Sequence, residues 1–324
     1  MSARPRVIVT RRLPLPCEAE VGHRFDAVLN AEDRPLTATE LVDALRTADA
    51  LLPTVTDRIT AEVLSAEPLK AKIIANFGVG FNNIDIAAAR QRGLVVTNTP
   101  DVLTDDTADL AMTLLLTVAR RAGEGERHVR GGQWTGWRPT HMLGARVTGK
   151  VLGLVGFGRI AKAVAHRAHH GFGMRVLYHD PYPPRPEVAA ALGAEGRDTV
   201  EAVLAEADFV SLHCPATPET RHLINADRLK AMQRHAFLIN TARGDVVDEA
   251  ALVAALNSGT IAGAGLDVFE REPTVSPGLL HLENVVLLPH LGSATMETRV
   301  AMGMRAIENL TLFFAGKPPR DRVA

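Results

Sequence analysis

Ten short apolar runs, each bounded by turn residues and separated by stretches of helical periodicity, recur along the chain: Arg6–Thr10, Ala50–Pro53, Ala71–Asn76, Leu94–Thr97, Val151–Val155, Met174–Tyr178, Phe209–His213, Ala236–Asn240, Ile261–Leu266 and Asn284–Leu287. Strands that alternate with helices predict an α/β architecture with a parallel sheet, because a parallel crossover needs a connection about as long as a helix. The helical stretches carry their own end signals. Thr37 precedes the amphipathic run Thr39–Leu45 and is expected as its N-cap. Thr104–Arg121 is expected as one long helix, with Asp105, Asp106 and Asp109 complementing the positive end of its dipole and Arg120 and Arg121 the negative end. That role accounts for the acidic cluster without a metal. Ala294–Phe314 is expected as a final helix, stopped by Gly316-Lys317-Pro318-Pro319. Between Gly123 and Gly149 the composition turns glycine-rich and apolar, a loop-rich segment holding both tryptophans, Trp134 and Trp137.

Composition narrows the function class. A chain of 324 residues, 46% apolar, has material for about two domains with full cores. With 36 Lys plus Arg against 37 Asp plus Glu there is no cationic surplus to neutralise a phosphate backbone, so no nucleic-acid partner is expected. Aromatics at 4% also disfavour base-stacking platforms. Two cysteines, neither in a C-x-x-C pair, exclude a disulfide framework and fit a reducing, cytoplasmic setting. Met1–Thr10 lacks a signal-like apolar core, and the longest apolar stretch, Leu110–Ala119, is 10 residues, against roughly 18 for a membrane span. No internal repeat or low-complexity tract is found. His166, His169 and His170 share a helix face but lack a nearby Cys or acid, so no metal is expected there. Arg11 and Arg12 read as a solvated turn after the first strand.

The sharpest motif is Lys150 to Ala161, a buried strand followed by G-x-G-x-x-A at Gly156, Gly158 and Ala161 and then a helical run. In a dinucleotide fold the first glycine makes the tight turn, the second lets the backbone approach a pyrophosphate, and the third position needs a small residue for helix packing. The helix N-terminus then offers free N–H groups to phosphate oxygens. Glycine pairs such as Gly78/Gly80 and Gly263/Gly265 show that the motif alone is weak, those pairs being read as turns or close packing. What strengthens it is Asp180, 24 residues beyond Gly156 at the end of the next strand, where an acid accepts ribose hydroxyls and repels a 2′-phosphate. NAD is therefore expected over NADP, with Arg185 read as a solvated loop residue.

A second constellation follows three later strands: Asn240-Thr241-Ala242-Arg243-Gly244, then Gly265 to Pro273, then Pro289-His290-Leu291-Gly292-Ser293. Ligands of open α/β sheets bind at such carboxyl ends. Singly, Arg243 also fits a surface ion pair, Glu272 a solvated loop acid and His290 a core imidazole. Together they supply the parts for reducing a 2-oxo acid. Arginine clamps a carboxylate and polarises the adjacent carbonyl, histidine gives the proton an alkoxide requires, and a carboxylate orients that histidine and favours its protonated form.

These segments, in order and spacing, resemble the D-isomer-specific 2-hydroxyacid dehydrogenase family from the Gly78 segment to the final helix. The resemblance implies a Rossmann-type doubly wound parallel sheet domain, residues 99–289, inserted into a smaller flavodoxin-like α/β substrate domain, residues 1–98 and 290–324. It implies nicotinamide-dependent reduction of a 2-oxo acid to the D-2-hydroxy acid, with Arg243 as clamp, His290 as general acid and base and Glu272, directly before Pro273, as its partner; Glu270 is then a bystander. Cofactor contacts carried over are Gly156, Gly158, Arg159 and Ile160 at the pyrophosphate, Asp180 at the ribose, Pro215 at the adenine, and Thr241, Ala242, Arg243, Asp267, His290 and Gly292 around the nicotinamide, Asp267 facing its carboxamide. Cys214 is expected to be a buried thiol rather than a nucleophile. Val79 and Gly80 match the loop whose N–H groups hold the substrate carboxylate, and closure over bound cofactor is expected to bring that loop to Arg243.

The segment Gly132–Pro139 and the following His141–Gly144 resemble the glyoxylate and hydroxypyruvate reductase branch, in which the tryptophan matched by Trp137 reaches from a dimer arm into the partner's site. Interface packing without a substrate role fits Trp137 as well, and a homodimer follows either way. Other branches fit less well. The phosphite-oxidising branch has lysine where Val79 stands, the formate branch has glutamine where Glu272 stands, and phosphoglycerate enzymes often append a regulatory domain after the last helix. D-lactate, D-3-phosphoglycerate and phosphite remain the alternative substrates. A corepressor-like NAD(H)-sensing protein remains the alternative class.

Overall fold

The computed structural model describes residues 4–324; positions 1–3 of the expected 1–98 segment lie outside the described residues. The chain forms two compact units, one built from the chain up to Leu103 together with Ala294–Ala324, the other from Thr104–Ser293. His290 thus belongs to the second unit.

The first unit holds a five-stranded parallel sheet of β1 (Arg6–Val9), β2 (Asp26–Val28), β3 (Ala50–Leu52), β4 (Ile73–Ala75) and β5 (Val95–Thr97), in the order β2-β1-β3-β4-β5, the flavodoxin-like arrangement. Both faces are covered. On one, Val7, Val9, Cys17 and Phe77 pack with Met302, Ala306 and Leu310 of the helix Met296–Phe314; on the other, Leu51, Ile74 and Val96 pack with Leu41, Leu45 and Leu64. Thr37 caps its helix, Ala38–Thr47, in a full capping box with Glu40. Arg11 is ion-paired with Asp33 at 2.8 Å.

The second unit holds a seven-stranded parallel sheet of β6 (Val151–Val155), β7 (Arg175–His179), β8 (Ala194–Gly196), β9 (Phe209–Leu212), β10 (Phe237–Asn240), β11 (Gly263–Leu266) and β12 (Val285–Leu287). Its order, β12-β11-β10-β9-β6-β7-β8, is that of a doubly wound Rossmann sheet with one added edge strand, and the strand order reverses between β6 and β9. Separate apolar cores fill its two faces.

Several sequence expectations need correction. The three-residue edge strands β2 and β8 were not expected, since neither has a buried run to announce it. The helix Thr104–Ala119 stops before Arg120 and Arg121; Arg121 turns into the left-handed region at φ 52° and ion-pairs Glu124 at 2.7 Å instead of closing that helix. A second helix, Ala122–Arg130, then fills the start of the segment expected to be loop. It buries no side chain, and its ends are charge-matched by Glu124 and by Arg127, His128 and Arg130. Asp105 and Asp109 do more than complement a dipole, because both pair with Arg167, at 3.0 and 2.6 Å. Among the described residues no helix is long and apolar enough to cross a membrane.

Candidate active site

The nucleotide turn begins where β6 ends. Gly156 adopts φ 85°, and a Cβ there would lie 2.8–2.9 Å from the His213 carbonyl and the Cys214 nitrogen, so both conformation and space require glycine. The His213 N–H donates to the Val155 carbonyl at 2.8 Å, carrying the β6–β9 pairing up to the point where the strand order reverses. Gly158 caps the helix Arg159–His166, and a Cβ on it would meet only open space; Ala161 is fully buried beneath. This open cradle at a helix N-terminus, with Arg159 and Ile160 as its first residues, suits a phosphate group. Asp180 stands just past β7. Its carboxylate accepts the Phe157 N–H at 2.6 Å and the Tyr182 N–H at 2.8 Å, tying the glycine turn to the loop beyond β7. Beyond β9, burial pushes the Cys214 thiol up to about 11, so it is no thiolate near neutrality, while Pro215 is exposed and its carbonyl accepts the Thr220 hydroxyl at 2.6 Å.

At the end of β10, Asn240 braces the turn that carries Arg243: its side chain accepts the Ala242 N–H at 3.0 Å and donates to the Arg243 carbonyl at 2.9 Å. Thr241 is buried, and its hydroxyl has no hydrogen-bond partner in the protein, a cost a bound polar group would relieve. Together with the open cradle at Gly158, that hydroxyl fits a nicotinamide dinucleotide. Burial pulls the Arg243 guanidinium below its ordinary pKa, and the carboxylates of Glu272 and Asp245 oppose the shift. A Cβ at Gly244 would sit 1.8 Å from the Phe269 carbonyl carbon, so the Arg243 turn rests directly on the backbone leading to Glu272.

Glu272 accepts the Phe269 N–H at 3.1 Å through one oxygen and His290 Nδ1–H at 2.8 Å through the other, the two side chains being 33% and 35% exposed. Burial alone would raise the Glu272 pKa; the His290 bond and charge, aided by the Phe269 N–H and Arg243, outweigh it and hold the carboxyl below its usual range. His290 itself sits at φ 56°, uncommon for a residue with a Cβ. Asp267 fixes that conformation. Its carbonyl accepts the His290 N–H at 2.9 Å and its two carboxylate oxygens accept the Leu291 and Gly292 N–H groups at 2.6 and 2.8 Å. Burial pushes the Asp267 carboxyl up and these N–H donors, with the His290 charge, draw it back. Thr107 then holds the Gly292 carbonyl at 2.8 Å. Whatever contact Asp267 makes with a carboxamide, both its oxygens fasten the histidine loop.

In the first unit, Gly78 packs against Val55, with a built Cβ only 2.4 Å from its Cγ1. The carbonyls of Gly78, Val79 and Gly80 are held by the Thr99 N–H at 3.0 Å, Asn98 Nδ2 at 2.8 Å and Asn76 Nδ2 at 2.9 Å. Asn83 braces Asn76 at 3.3 Å and the Thr54 and Asp57 carbonyls at 3.1 Å. In a trans peptide the N–H points opposite its carbonyl, so fixing the Gly78 and Val79 carbonyls also fixes the Val79 and Gly80 N–H directions. None of these asparagines was singled out from sequence, although amides beside a glycine-rich loop were a usable signal. Trp137 joins none of this and stands 81% exposed, near Trp134 at 57%.

A doubly wound sheet with a glycine turn at its switch point and an Arg, Glu and His at its strand ends defines a dinucleotide-dependent oxidoreductase. Residues 112–292 match the NAD binding domain of the D-isomer specific 2-hydroxyacid dehydrogenases. The chain is 48% identical to a glyoxylate reductase of Korarchaeum cryptofilum, over 99% of this chain and 96% of that protein, and 47% identical to one of Thermococcus litoralis, over 99% and 97%. Among solved structures it is similar to an NADPH-dependent glyoxylate/hydroxypyruvate reductase of Sinorhizobium meliloti in complex with NADP and malonate, with a TM-score of 0.88, 37% identity and coverage of 99% and 97%. A D-isomer specific 2-hydroxyacid dehydrogenase of a Polaromonas species, described as putative, superposes with a TM-score of 0.93 at 39% identity, over 99% and 100%. The chain belongs to the D-isomer specific 2-hydroxyacid dehydrogenase family.

Proposed function

We propose that the protein reduces glyoxylate and hydroxypyruvate to the corresponding 2-hydroxy acids, as a cytoplasmic homodimer preferring NADH. The observation that carries the reading is the 2.8 Å bond between His290 and Glu272, on strand ends that also present Arg243. Gly156, Gly158, Arg159 and Ile160 are assigned the cofactor pyrophosphate, Asp180 the adenosine ribose, Pro215 the adenine, and Thr241, Ala242, Asp267, His290 and Gly292 the nicotinamide end. When bound, a reduced nicotinamide supplies the hydride that the carbonyl carbon accepts.

The remaining chemistry falls to the chain's own side chains. Arg243 binds the substrate carboxylate and polarises the neighbouring carbonyl, its partial desolvation strengthening both effects. His290 donates the proton to the oxygen that becomes the alcohol. Glu272, held ionised by its surroundings, orients the ring through Nδ1 so that the proton on Nε2 faces the substrate. In the first unit, Val79 and Gly80 are assigned to the substrate carboxylate through their fixed N–H groups. Trp137 is assigned to the arm of the homodimer.

Support for the small substrates comes from the glyoxylate reductases at 47–48% identity and from the compact, braced Gly78 loop. The NADH preference rests on the Asp180 carboxylate, which would repel a ribose 2′-phosphate. Steady-state kinetics with glyoxylate, hydroxypyruvate, pyruvate and phenylpyruvate, each with NADH and NADPH, test both points. A higher kcat/KM for pyruvate or phenylpyruvate would refute the substrate assignment, and a clear NADPH preference would refute the role of Asp180.

A further inference from the structure

Behind the catalytic pair lies a polar network that the proposed chemistry does not use. His222 ends the loop that follows β9, and it too sits in the left-handed region, at φ 48°. Its backbone N–H donates to the Asp245 carbonyl at 2.8 Å, two residues past Arg243. Its ring Nε2 is hydrogen-bonded to the Glu270 carboxylate, two residues before Glu272. The segment is fixed again two residues further on, where the Ile224 N–H donates to the Val246 carbonyl at 3.0 Å and the Asp248 N–H returns to the Ile224 carbonyl at 3.0 Å. Glu270 is anchored again from below, its own N–H donating at 2.6 Å to Glu249, a buried carboxylate at the first position of the helix Glu249–Asn257.

One residue therefore links the two segments that carry Arg243 and Glu272, through its backbone N–H to one and its ring to the other. Those segments already touch at Gly244 and Phe269, where there is no room for a Cβ, and a contact so tight fixes separation but not sliding along the backbone. The His222 ring adds a side-chain constraint to the Glu249 anchor, because its bond to Glu270 opposes movement along the direction that leads to Glu272. A buried or half-buried polar side chain held at a costly φ implies surroundings that over-determine it.

We propose that His222 is a positioning residue, which through Glu270 sets the register of the Glu272 loop against the Arg243 turn and so aims Glu272 at His290. The inference rests on the assignment of Arg243, Glu272 and His290 given above. Glu270 is then a working member of the site rather than a bystander. His222 and Glu270 touch neither substrate nor cofactor in this scheme, so their loss is felt through geometry alone.

The test compares His222→Leu, which fills the space without a donor, with His222→Gln, which retains one at similar reach. Expected for His222→Leu is a kcat with glyoxylate lowered about 10- to 100-fold, with the NADH Kd changed by less than about two-fold, as for a catalytic group displaced by a fraction of an ångström to one ångström. His222→Gln should recover most of that loss. Imidazole NMR reads the same effect without turnover: the His290 signal, identified by its disappearance in His290→Ala, should shift in His222→Leu and stand near its wild-type position in His222→Gln. A folded His222→Leu protein with an unmoved His290 signal overturns the inference. If His222→Leu does not fold, Glu270→Gln replaces it, and an unmoved His290 signal there overturns the inference equally. Wild-type protein inactive on every 2-oxo acid would instead refute the proposed reaction, and the NMR comparison would still decide the positioning role.

Discussion

Replacing Gly244 by alanine should disable the enzyme while leaving its cofactor turn intact. The new Cβ would begin 1.8 Å from the Phe269 carbonyl carbon, 2.0 Å from its oxygen and 2.4 Å from the Glu270 nitrogen, all backbone atoms with no rotamer to swing away. Ordinary contact starts near 3.4 Å, so the Arg243 turn and the Phe269–Glu272 segment must part by about 1.6 Å. Misplacing a catalytic group by about 1 Å costs on the order of 100-fold, so kcat with glyoxylate should fall at least about 100-fold. Overpacking of this kind costs about 1–3 kcal/mol, and in a unit of this size each kcal/mol lowers Tm by about 2–4 °C. Steady-state kinetics, differential scanning calorimetry and NADH fluorescence titration together separate these effects. Cofactor affinity should fall less than kcat, because the Gly156–Ile160 turn is built on other strands and only the nicotinamide contacts assigned to Thr241 and Ala242 lie beside the clash. A Gly244→Ala protein with wild-type kcat and Tm would refute the close backbone contact and, with it, the account of how Arg243 is held.

Three further outcomes follow from the same geometry. His290→Ala should lower kcat by about 100- to 10,000-fold, the range of general acid catalysis, while the NADH Kd stays nearly constant; equal loss of both would count against the proton-donor role. Gly158→Ala is the converse, since its Cβ meets open space: Tm should not move, but NADH binding should weaken as the methyl occupies the phosphate cradle, and an unchanged Kd would displace the pyrophosphate from that turn. Glu272 has its pKa depressed in the fold, so it contributes stability that is fully present above the unfolded value of about 4.3 and is lost as pH falls through the lower folded one. The Tm difference between wild type and Glu272→Gln should therefore shrink as the pH falls below about 4; a difference that grows on acidification through that range would reverse the assigned sign.

What the sequence could announce was whatever is written in long or strongly patterned segments. Buried strands such as Val151–Val155 and Phe237–Asn240 declare themselves by apolar runs, and the helix Met296–Phe314 by its period. The edge strands Asp26–Val28 and Ala194–Gly196 do not, because each is three residues long and largely solvated, so no hydrophobic pattern is required of it. The helix Ala122–Arg130 hid for a related reason: it buries nothing and contains two glycines, leaving only its terminal charges as a sign. At the site, Arg243, Glu272 and His290 stand out by chemical type and by their places after strands. Asn76, Asn98 and Asn240 do not, since each acts by holding backbone carbonyls brought near only by the fold. Asp267 stood out for a cofactor contact, and its hold on the histidine loop went unread. An aspartate 24 residues from Leu291 gives no hint in one dimension that its two oxygens will meet consecutive N–H groups of a left-handed turn.

The discontinuity of the first unit also sets a schedule for synthesis. Its five strands emerge from the ribosome before Thr104, yet the helix that covers Val7, Val9 and Phe77 on one face begins only at Met296, after the whole of Thr104–Ser293. At translation rates of about 5–20 residues per second, that gap lasts about ten to forty seconds. During it the second unit, contiguous in sequence, can complete its own sheet, while the nascent first sheet waits with one apolar face covered only by the helix Leu15–Arg24. Gly303, with a built Cβ only 2.4 Å from Cys17 Sγ, makes the final docking a close fit rather than a loose cover. Until that helix docks, newborn chains keep part of this apolar face exposed to solvent.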